Sequence, residues 1–277
     1  MTDQRFGLLV ETATLAAHLD AANIQIVFVG DAQTYTHAHI PGSVLIEYAA
    51  LIAQRPPAGG LLPEMDDLSR LLGAAGITPD THVIAVDAGT NAAAARLIWT
   101  LDCLGHSAHS LLNGGLNAWI ADQYPITQGP APSPNPAPDY PARLANPTAR
   151  ASDQDILDHL DDPNTVVLDA RSAAEFTGAD VRAARGGHIP GAKNIEWTDN
   201  IDRDNAGRLY PKATLAQRYE QAGINSSQTI ITHCQTHHRS SLTYFVLRYL
   251  GYPNVQGYDG SWSQWGNTPE LPVSQGD

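Results

Sequence analysis

The sequence predicts an α/β protein of two tandem domains, each built on a parallel β-sheet with helices on both faces. Three observations support this prediction. Short, β-branched apolar runs alternate with helical patterns, which is typical of buried parallel strands joined by crossover helices. One pattern of motifs occurs twice along the 277 residues. A proline-rich segment separates the two copies.

The strands and helices follow one another in the order α, β, loop, α, β, α, β, α within each copy. The clearest strands are residues 164–168 and 229–232, which are nearly continuous apolar runs. Helical patterns lie at residues 152–160, 215–222 and 241–250. Gly223 and Gly251 are suited to end the last two helices, because glycine readily adopts the left-handed conformation found at helix ends. Ligands of such sheets bind beyond the carboxyl ends of the strands.

Three pairs of matching positions show the repeat. The pairs are His39 and His188 in His-Ile-Pro-Gly boxes, Asp87 and Cys234 after apolar strands, and Trp119 and Trp265 near the end of each copy. Their offsets are 149, 147 and 146 residues, so a duplicated domain is predicted. The predicted boundaries are an N-terminal domain over 1–127, a linker over 128–147 and a C-terminal domain over 148–277. Alternating prolines make that linker extended and semi-rigid.

The composition excludes several classes of protein. With 43% hydrophobic and 16% charged residues, the chain is predicted to be globular. Its net charge of −13 argues against nucleic-acid binding, which requires a basic surface. No apolar run is long enough for a membrane span, and the N-terminus lacks the pattern of a secretory signal. Only two cysteines are present, so a reducing compartment, the cytoplasm, is expected.

The candidate nucleophile is Cys234. It directly follows a β-branched strand, and a polar loop then leads into an apolar helix. Backbone N–H groups at such a junction converge on the sulfur and favour the thiolate. His237, His238 and Arg239 add positive charge nearby. This arrangement suits a cysteine that attacks an anion.

Two other interpretations of Cys234 were weighed. Most lone cysteines pack as small apolar side chains, but the six polar neighbours of Cys234, which are His233 and residues 235–239, do not suit a core. A metal site made of Cys234, His237 and His238 lacks a second cysteine pair and departs from the usual zinc spacing. Neither a metal nor a cofactor is therefore expected. The other cysteine, Cys103, lies in an apolar helical run and is predicted to be a packed core thiol or a half-buried one.

The motifs together resemble the rhodanese family of tandem-domain sulfurtransferases over essentially the whole chain. The matching motifs are the box at 187–192, Asp-Ala-Arg at 169–171, the loop Cys-Gln-Thr-His-His-Arg at 234–239 and Tyr-Asp-Gly-Ser-Trp at 258–262. The loop looks like that of bacterial two-domain rhodaneses. The resemblance implies two rhodanese-like domains, of which only the second is catalytic. Asp87 stands where the first would need its cysteine.

The resemblance implies that Cys234 takes a sulfur atom from a small anionic donor such as thiosulfate and forms a persulfide. Cyanide or a thiol then removes the sulfur; a protein acceptor is an alternative. We expect Asp169 and Arg171 to organise the loop, and the His-Ile-Pro-Gly box to be structural because both copies contain it. The predicted substrate-binding residues are Gln235, Thr236, His237, His238, Arg239, Ser240 and Arg185. An exposed surface arginine is the alternative for Arg185.

The preferred donor stays open at the level of sequence. Gln235 and Thr236 replace the basic pair that follows the cysteine in animal thiosulfate enzymes, and the glycine-rich loop of mercaptopyruvate enzymes is missing. Two rival functions remain. One is a non-enzymatic persulfide carrier for a protein partner. The other is a phosphatase, which uses a Cys-x5-Arg loop; the Cys-x4-Arg loop here is one residue shorter and crowds a phosphate.

Overall fold

The structure is a computed structural model that describes residues 6–130 and 138–276. Residues 131–137, in the middle of the predicted linker, lie outside the described part. The remaining linker residues contain no long helix or strand, but they are not detached from the fold. Tyr140 is buried, its N–H donates to the carbonyl of Ser69, and the N–H of Asn146 donates to the carbonyl of Cys103.

The strands and helices lie close to where the sequence predicts them. The strands are β1 (Leu9–Val10), β2 (Ile24–Gly30), β3 (Val44–Glu47), β4 (Ala53–Arg55), β5 (Ala58–Leu61), β6 (His82–Val86), β7 (His109–Leu112), β8 (Arg150–Ala151), β9 (Thr165–Asp169), β10 (Lys193–Asn194), β11 (Ile201–Asp202), β12 (Arg208–Leu209), β13 (Thr229–His233) and β14 (Val255–Tyr258). The α-helices are α1 (Thr12–Ala16), α2 (Ala32–His37), α3 (Met65–Ala74), α4 (Ala92–Cys103), α5 (Gly115–Ala121), α6 (Asp153–Leu157), α7 (Ala173–Thr177), α8 (Lys212–Gln221), α9 (Arg239–Leu250) and α10 (Ser261–Trp265). None of the helices in the described residues combines the length and the apolar character needed to cross a membrane.

The chain folds into two compact units. Unit 1 comprises Met1–Leu51, Pro63–Asn146 and Ile201–Leu209, and unit 2 comprises Ile52–Leu62, Pro147–Asn200 and Tyr210–Asp277. Each unit therefore includes a short segment from the other half of the sequence. The predicted domain boundaries did not include these two segments, because nothing in their local sequence pattern reports which sheet they pack against.

Unit 1 contains a five-stranded parallel sheet in the order β1-β7-β6-β2-β3. Leu15, Phe28 and Trp119 belong to one of its apolar clusters. The helix α4 is buried along nearly its whole length, as its apolar sequence requires, and Cys103 at its end is buried as predicted. The strand β6 lies in the middle of the sheet, and Asp87 follows it directly.

Unit 2 repeats this design with a five-stranded parallel sheet in the order β10-β9-β13-β14-β8. Ile156, Trp262 and Trp265 are buried in one of its clusters. The strand β13 takes the middle place, and Cys234 follows it. The prediction of two parallel sheets flanked by helices is confirmed.

The two His-Ile-Pro-Gly boxes have the same structural role. The His39 ring stacks on Tyr35 at 3.9 Å between centroids, and its Nδ1 lies 2.9 Å from the Tyr35 carbonyl oxygen. The His188 ring stacks on Phe176 at 3.8 Å, and its Nδ1 lies 2.9 Å from the Phe176 carbonyl oxygen. Both histidines are thus packed in the way that a structural role of this box predicts.

Candidate active site

Cys234 lies at the carboxyl end of the central strand of unit 2, between β13 and α9. The β-branched residues 229–232 belong to a buried strand that ends at His233, and α9 begins at Arg239 after a loop of five residues, Cys234 to His238. The helix ends at Gly251, which adopts the left-handed conformation with φ of 98°. The loop thus leads into the first turn of a 12-residue helix, where amide N–H groups have no hydrogen-bond partners within the helix.

The Cys234 side chain is fully buried, at 0% exposure. Burial alone would raise the pKa of its thiol. The positive charge of Arg239, the hydroxyl of Ser240 and the backbone N–H groups of Ser240 and Thr236 outweigh burial, so the pKa lies below its ordinary value. Hydrogen bonds and a cation both favour the charged form, so this sulfur is suited to act as a thiolate nucleophile.

Arg239 bridges the sulfur to a buried carboxylate. Its guanidinium contacts Glu175 through two nitrogens, at 2.6 and 2.9 Å, and it also hydrogen-bonds the Cys234 sulfur. Burial would raise the pKa of Glu175, but hydrogen bonding to Arg239 and its charge lower that pKa to about 2. Two rigid hydrogen bonds to one carboxylate fix the orientation of the guanidinium plane. Glu175 therefore holds the loop cation in place.

Glu175 was not among the site residues predicted from the sequence. Glu175 completes a capping box with Ser172 at the start of α7, where each side chain hydrogen-bonds the backbone N–H of the other residue. The spacing Ser-x-x-Glu is a recognisable capping signal, and it could have placed Glu175 at a helix start. It does not report that the same carboxylate reaches Arg239, which lies 64 residues further along the chain.

His237 and Ser240 form a short relay to the sulfur. The Nδ1 atom of His237 lies 2.8 Å from Ser240 Oγ, and the Ser240 hydroxyl hydrogen-bonds the Cys234 sulfur. A hydroxyl has one hydrogen to donate; when it points at the sulfur, Nδ1 of His237 must be the donor to Oγ. His237 is fully buried, so in this structure it supports the loop and is not exposed to an incoming donor.

Gln235 and Thr236 have separate surroundings. The Gln235 side-chain amide donates to the carbonyl of Arg182 at 3.1 Å, and the main-chain carbonyl of Gln235 accepts from the N–H of Ser263 at 2.9 Å. Thr236 contributes its backbone N–H to the sulfur. His238 is half-buried and precedes the first residue of α9. The structure thus brings Cys234 together with Thr236, Arg239 and Ser240.

Arg185 is held by main-chain carbonyls. Its Nε and its two terminal nitrogens donate to five oxygens: those of Trp265, Gly266, Thr268, Pro269 and Leu271. A guanidinium has five N–H hydrogens, so this set uses all of them. Arg185 therefore fastens the segment after α10 from a half-buried position, which differs from the exposed surface arginine of the alternative, and it is not among the anion contacts proposed below.

A second buried ion pair underlies the loop. Arg171 contacts both carboxylate oxygens of Asp169, donates to the carbonyl of Gly187 at 2.8 Å and lies 4.4 Å over the Trp262 ring. The backbone N–H of Trp262 in turn donates to the Cys234 carbonyl at 2.9 Å. The expected organising role of Asp169 and Arg171 fits this chain of contacts.

His233, which sequence reasoning also missed, precedes Cys234 and is fully buried. Its Nε2 lies 3.6 Å from Asp169 Oδ2, and burial lowers the pKa of its ring. A neutral His233 suits the packed position below the loop. Within residues 6–130 and 138–276, no group of three or more His, Cys, Asp and Glu side chains is placed to hold a metal ion.

Comparisons with known proteins give a consistent result. The family model of the rhodanese-like domain matches residues 11–122 and 152–268. The chain is 40% identical to a thiosulfate sulfurtransferase of Azotobacter vinelandii and 41% identical to one of Pseudomonas aeruginosa. Each match covers 96% of both proteins. This chain is also 32% identical to the sulfur carrier protein TtuD of Thermus thermophilus, over 98% of this chain and 97% of that protein.

Solved structures show the same fold. A 3-mercaptopyruvate sulfotransferase of Escherichia coli, SseA, matches with a TM-score of 0.80 at 29% identity, over 93% of this chain and 99% of that one. The YnjE structure matches with a TM-score of 0.88 at 23% identity, over 99% of this chain and 70% of that one.

Proposed function

This chain belongs to the rhodanese family, and from that premise we propose that it is a thiosulfate sulfurtransferase that works through a persulfide on Cys234. The observation that carries the proposal is the loop from Cys234 to Ser240. Two backbone N–H groups, one hydroxyl and one guanidinium converge there on a single sulfur. This set stabilises a thiolate and, after transfer, the negative terminal sulfur of a persulfide.

The first step is attack of the Cys234 thiolate on the outer sulfur of thiosulfate. A new sulfur–sulfur bond forms, the sulfur–sulfur bond of thiosulfate breaks, and its electron pair leaves with sulfite. In the second step cyanide attacks the terminal sulfur of the persulfide. Thiocyanate leaves, and the Cys234 thiolate is regenerated. A thiol acceptor would replace cyanide in the same displacement. Because the enzyme is covalently loaded between two substrates, the kinetics are ping-pong.

Burial of the sulfur sets a condition on this mechanism. A thiol with 0% exposure cannot meet an ion in the conformation described, so the residues that cover it must open to admit the donor. The covered state has its own use. Excluding water strengthens the interaction of the thiolate with Arg239 and protects the persulfide from side reactions.

A protein acceptor is the second candidate, and one comparison favours it. TtuD, at 32% identity over nearly the whole chain, is named a sulfur carrier protein. A carrier would load Cys234 by the same first step and deliver the sulfur to one protein. The proposed location is the cytoplasm, because both cysteines are free thiols and the persulfide cycle requires Cys234 to stay reduced.

Intact-mass measurement after thiosulfate treatment tests the proposal. We expect one added sulfur on the wild-type protein and on Cys103→Ser, but none on Cys234→Ser. Transfer to cyanide, followed as thiocyanate, is expected to fall by about 1,000-fold or more in Cys234→Ser. An added sulfur that remains in Cys234→Ser would refute the site. Turnover of p-nitrophenyl phosphate without any of thiosulfate would refute the reaction.

A further inference from the structure

A hairpin from the first half of the sequence lies within unit 2. The strands β4 and β5 pair antiparallel, and the segment Ile52–Leu62 belongs to this unit. Two main-chain hydrogen bonds anchor it. The Gly59 N–H donates to Ser263 Oγ at 3.0 Å, and the Leu62 N–H donates to Asp259 Oδ2 at 2.7 Å. Ser263 also contacts the Cys234 loop, because its own N–H donates to the main-chain carbonyl of Gln235 at 2.9 Å.

Gly60 brings this hairpin into direct contact with that loop. A Cβ atom at residue 60 would lie 2.1 Å from the Thr236 carbonyl oxygen and 2.7 Å from its carbon. Real Cβ atoms do not approach main-chain atoms so closely, so a side chain there would displace one of the two segments. Gly59 differs from its neighbour, because a Cβ there would meet Thr236 Cγ2 at 3.4 Å, an ordinary contact.

Thr236 is the residue at which such a contact matters. Its backbone N–H hydrogen-bonds the Cys234 sulfur. The next residue, His237, has a φ of 52°, in the left-handed region that non-glycine residues seldom adopt. A loop that includes such a residue keeps its shape only when its surroundings determine it. The hairpin contacts the peptide between these two residues, on the carbonyl side of Thr236.

Unit 1 repeats the contact. A Cβ on Gly207, in the segment Ile201–Leu209, would lie 2.3 Å from the Gly89 carbonyl oxygen. Gly207 lies 147 residues after Gly60, and Thr236 lies 147 residues after Gly89. Each loop that follows a central strand is therefore held by a glycine of a neighbouring short segment. Only in unit 2 does that loop surround a cysteine.

We propose that Gly60 is a positioning residue for sulfur transfer: lacking a side chain, it lets the hairpin pack on the Thr236 peptide and aim the Thr236 N–H at the Cys234 sulfur. The proposal deepens the sulfurtransferase function and rests on it for its effect on turnover. The effect of Gly60 on the reactivity of the Cys234 thiol can be measured without any sulfur donor. The charged groups that face the sulfur, Arg239 with its partner Glu175, stay unchanged in the variants below.

The test compares Gly60→Ala with Gly59→Ala in the full-length protein. Iodoacetamide labels Cys234 at a series of pH values, and mass spectrometry of the digested protein separates it from Cys103. In Gly60→Ala we expect the midpoint of the pH–rate profile to rise by about one unit, and both labelling at pH 7 and kcat/KM to fall by about 10-fold. In Gly59→Ala all three should stay within about twofold of wild type, as an ordinary contact predicts.

Ser263→Ala provides a second variant, because it removes the acceptor of the Gly59 N–H without creating a clash. We expect its labelling midpoint to move in the same direction as in Gly60→Ala, with a two- to threefold loss of labelling at pH 7. If Gly60→Ala folds but labels like wild type, the hairpin does not position Thr236 and the proposal is refuted. If Gly60→Ala fails to fold, an unchanged Ser263→Ala profile refutes it. Absence of persulfide in the wild type would instead refute the proposed function and leave these labelling profiles to decide on Gly60.

Discussion

The loops that follow the two central strands run from Asp87 to Asn91 and from Cys234 to His238. Each surrounds one side chain with backbone N–H groups, a carboxylate in unit 1 and a sulfur in unit 2. Each loop leads directly into a 12-residue helix. In unit 1 the Asp87 carboxylate accepts from the N–H groups of Gly89, Asn91, Ala93 and Ala94, at 2.8 to 3.4 Å. In unit 2 the converging groups point at a sulfur. The same backbone design therefore holds a carboxylate in one unit and a reactive sulfur in the other.

The two loops differ in the residue at the first position of the helix that follows. In unit 1 this residue is Ala92, and in unit 2 it is Arg239. A carboxylate has two oxygens and accepts four amide hydrogen bonds without a cation. One sulfur atom is a weaker acceptor, and its charge must also persist in a buried place. Arg239 supplies the positive charge that the amides alone do not provide. A cysteine at position 87 would therefore have no arginine at the first position of the following helix, because Ala92 stands there.

A second difference lies beside these loops. In unit 2 the chain between α7 and His188 is long, and the carbonyls of Arg182 and Arg185 accept from the side chains of Gln235 and Trp262. In unit 1 only Ala38 separates α2 from His39. There, a groove of about 950 Å³ is lined by residues that include Thr36, Ala88, Asn117 and Ile120. The extra segment of unit 2 thus packs where unit 1 leaves open space, and Arg185 fastens that segment.

The largest effect is expected from Arg239→Ala, which makes the Cys234 loop resemble the Asp87 loop in charge. We expect kcat/KM to fall on the order of 100-fold, because the thiolate and the persulfide lose their cation. The free energy of unfolding should fall by about 3 kcal/mol, because the buried Glu175 then keeps only the half-exposed Arg182, 3.6 Å away, as a charged partner. Steady-state kinetics and urea unfolding measure the two effects.

Arg70→Ala is the matched control for Arg239→Ala. Arg70 pairs with Asp67, but both side chains are more than half exposed, at 64% and 60%. Its loss should cost less than about 1 kcal/mol and leave turnover unchanged. Wild-type turnover in Arg239→Ala would show that the amides suffice for the sulfur, and the contrast drawn between the two loops would be wrong.

Asp87→Ala tests the opposite loop. The amides around residue 87 would lose their acceptor inside a buried site, so we expect the free energy of unfolding to fall by about 3 kcal/mol. Asp87→Asn keeps one oxygen and should lose less. Transfer per folded molecule should stay within about twofold of wild type in both variants, since the chemistry belongs to unit 2. A tenfold loss of turnover in protein shown to be folded by circular dichroism would contradict this division of roles.

These loops also show how far a sequence can be interpreted. The strand, the cysteine and the following helix were predictable because apolar periodicity and strand ends are local features. The offset between Asp87 and Cys234 was visible for the same reason. The partners of Arg185 were not, because main-chain carbonyls carry no residue identity. Nor was the hairpin at Gly60, whose contacts with Thr236 and Ser263 join segments about 200 residues apart, a distance at which no periodicity applies.

The smallest effect is expected in the stability at low pH, where the contribution of Glu175 is compared with that of Asp87 in unit 1. The folded pKa of Glu175 is about 2, below its ordinary value of 4.5, so its ion pair contributes fully above about pH 4.5. That contribution is lost as the pH falls toward 2, because protonation removes the charge that faces Arg239. In Glu175→Gln we therefore expect a lower free energy of unfolding at pH 7, by about 2–3 kcal/mol, but a shallower decline between pH 4.5 and 2. Urea unfolding at pH 7, 4 and 3 measures both. An equally steep decline of the free energy of unfolding in Glu175→Gln and wild type would assign the acid sensitivity to other carboxylates. Asp87→Asn measured over the same pH range would then show whether Asp87 is one of them.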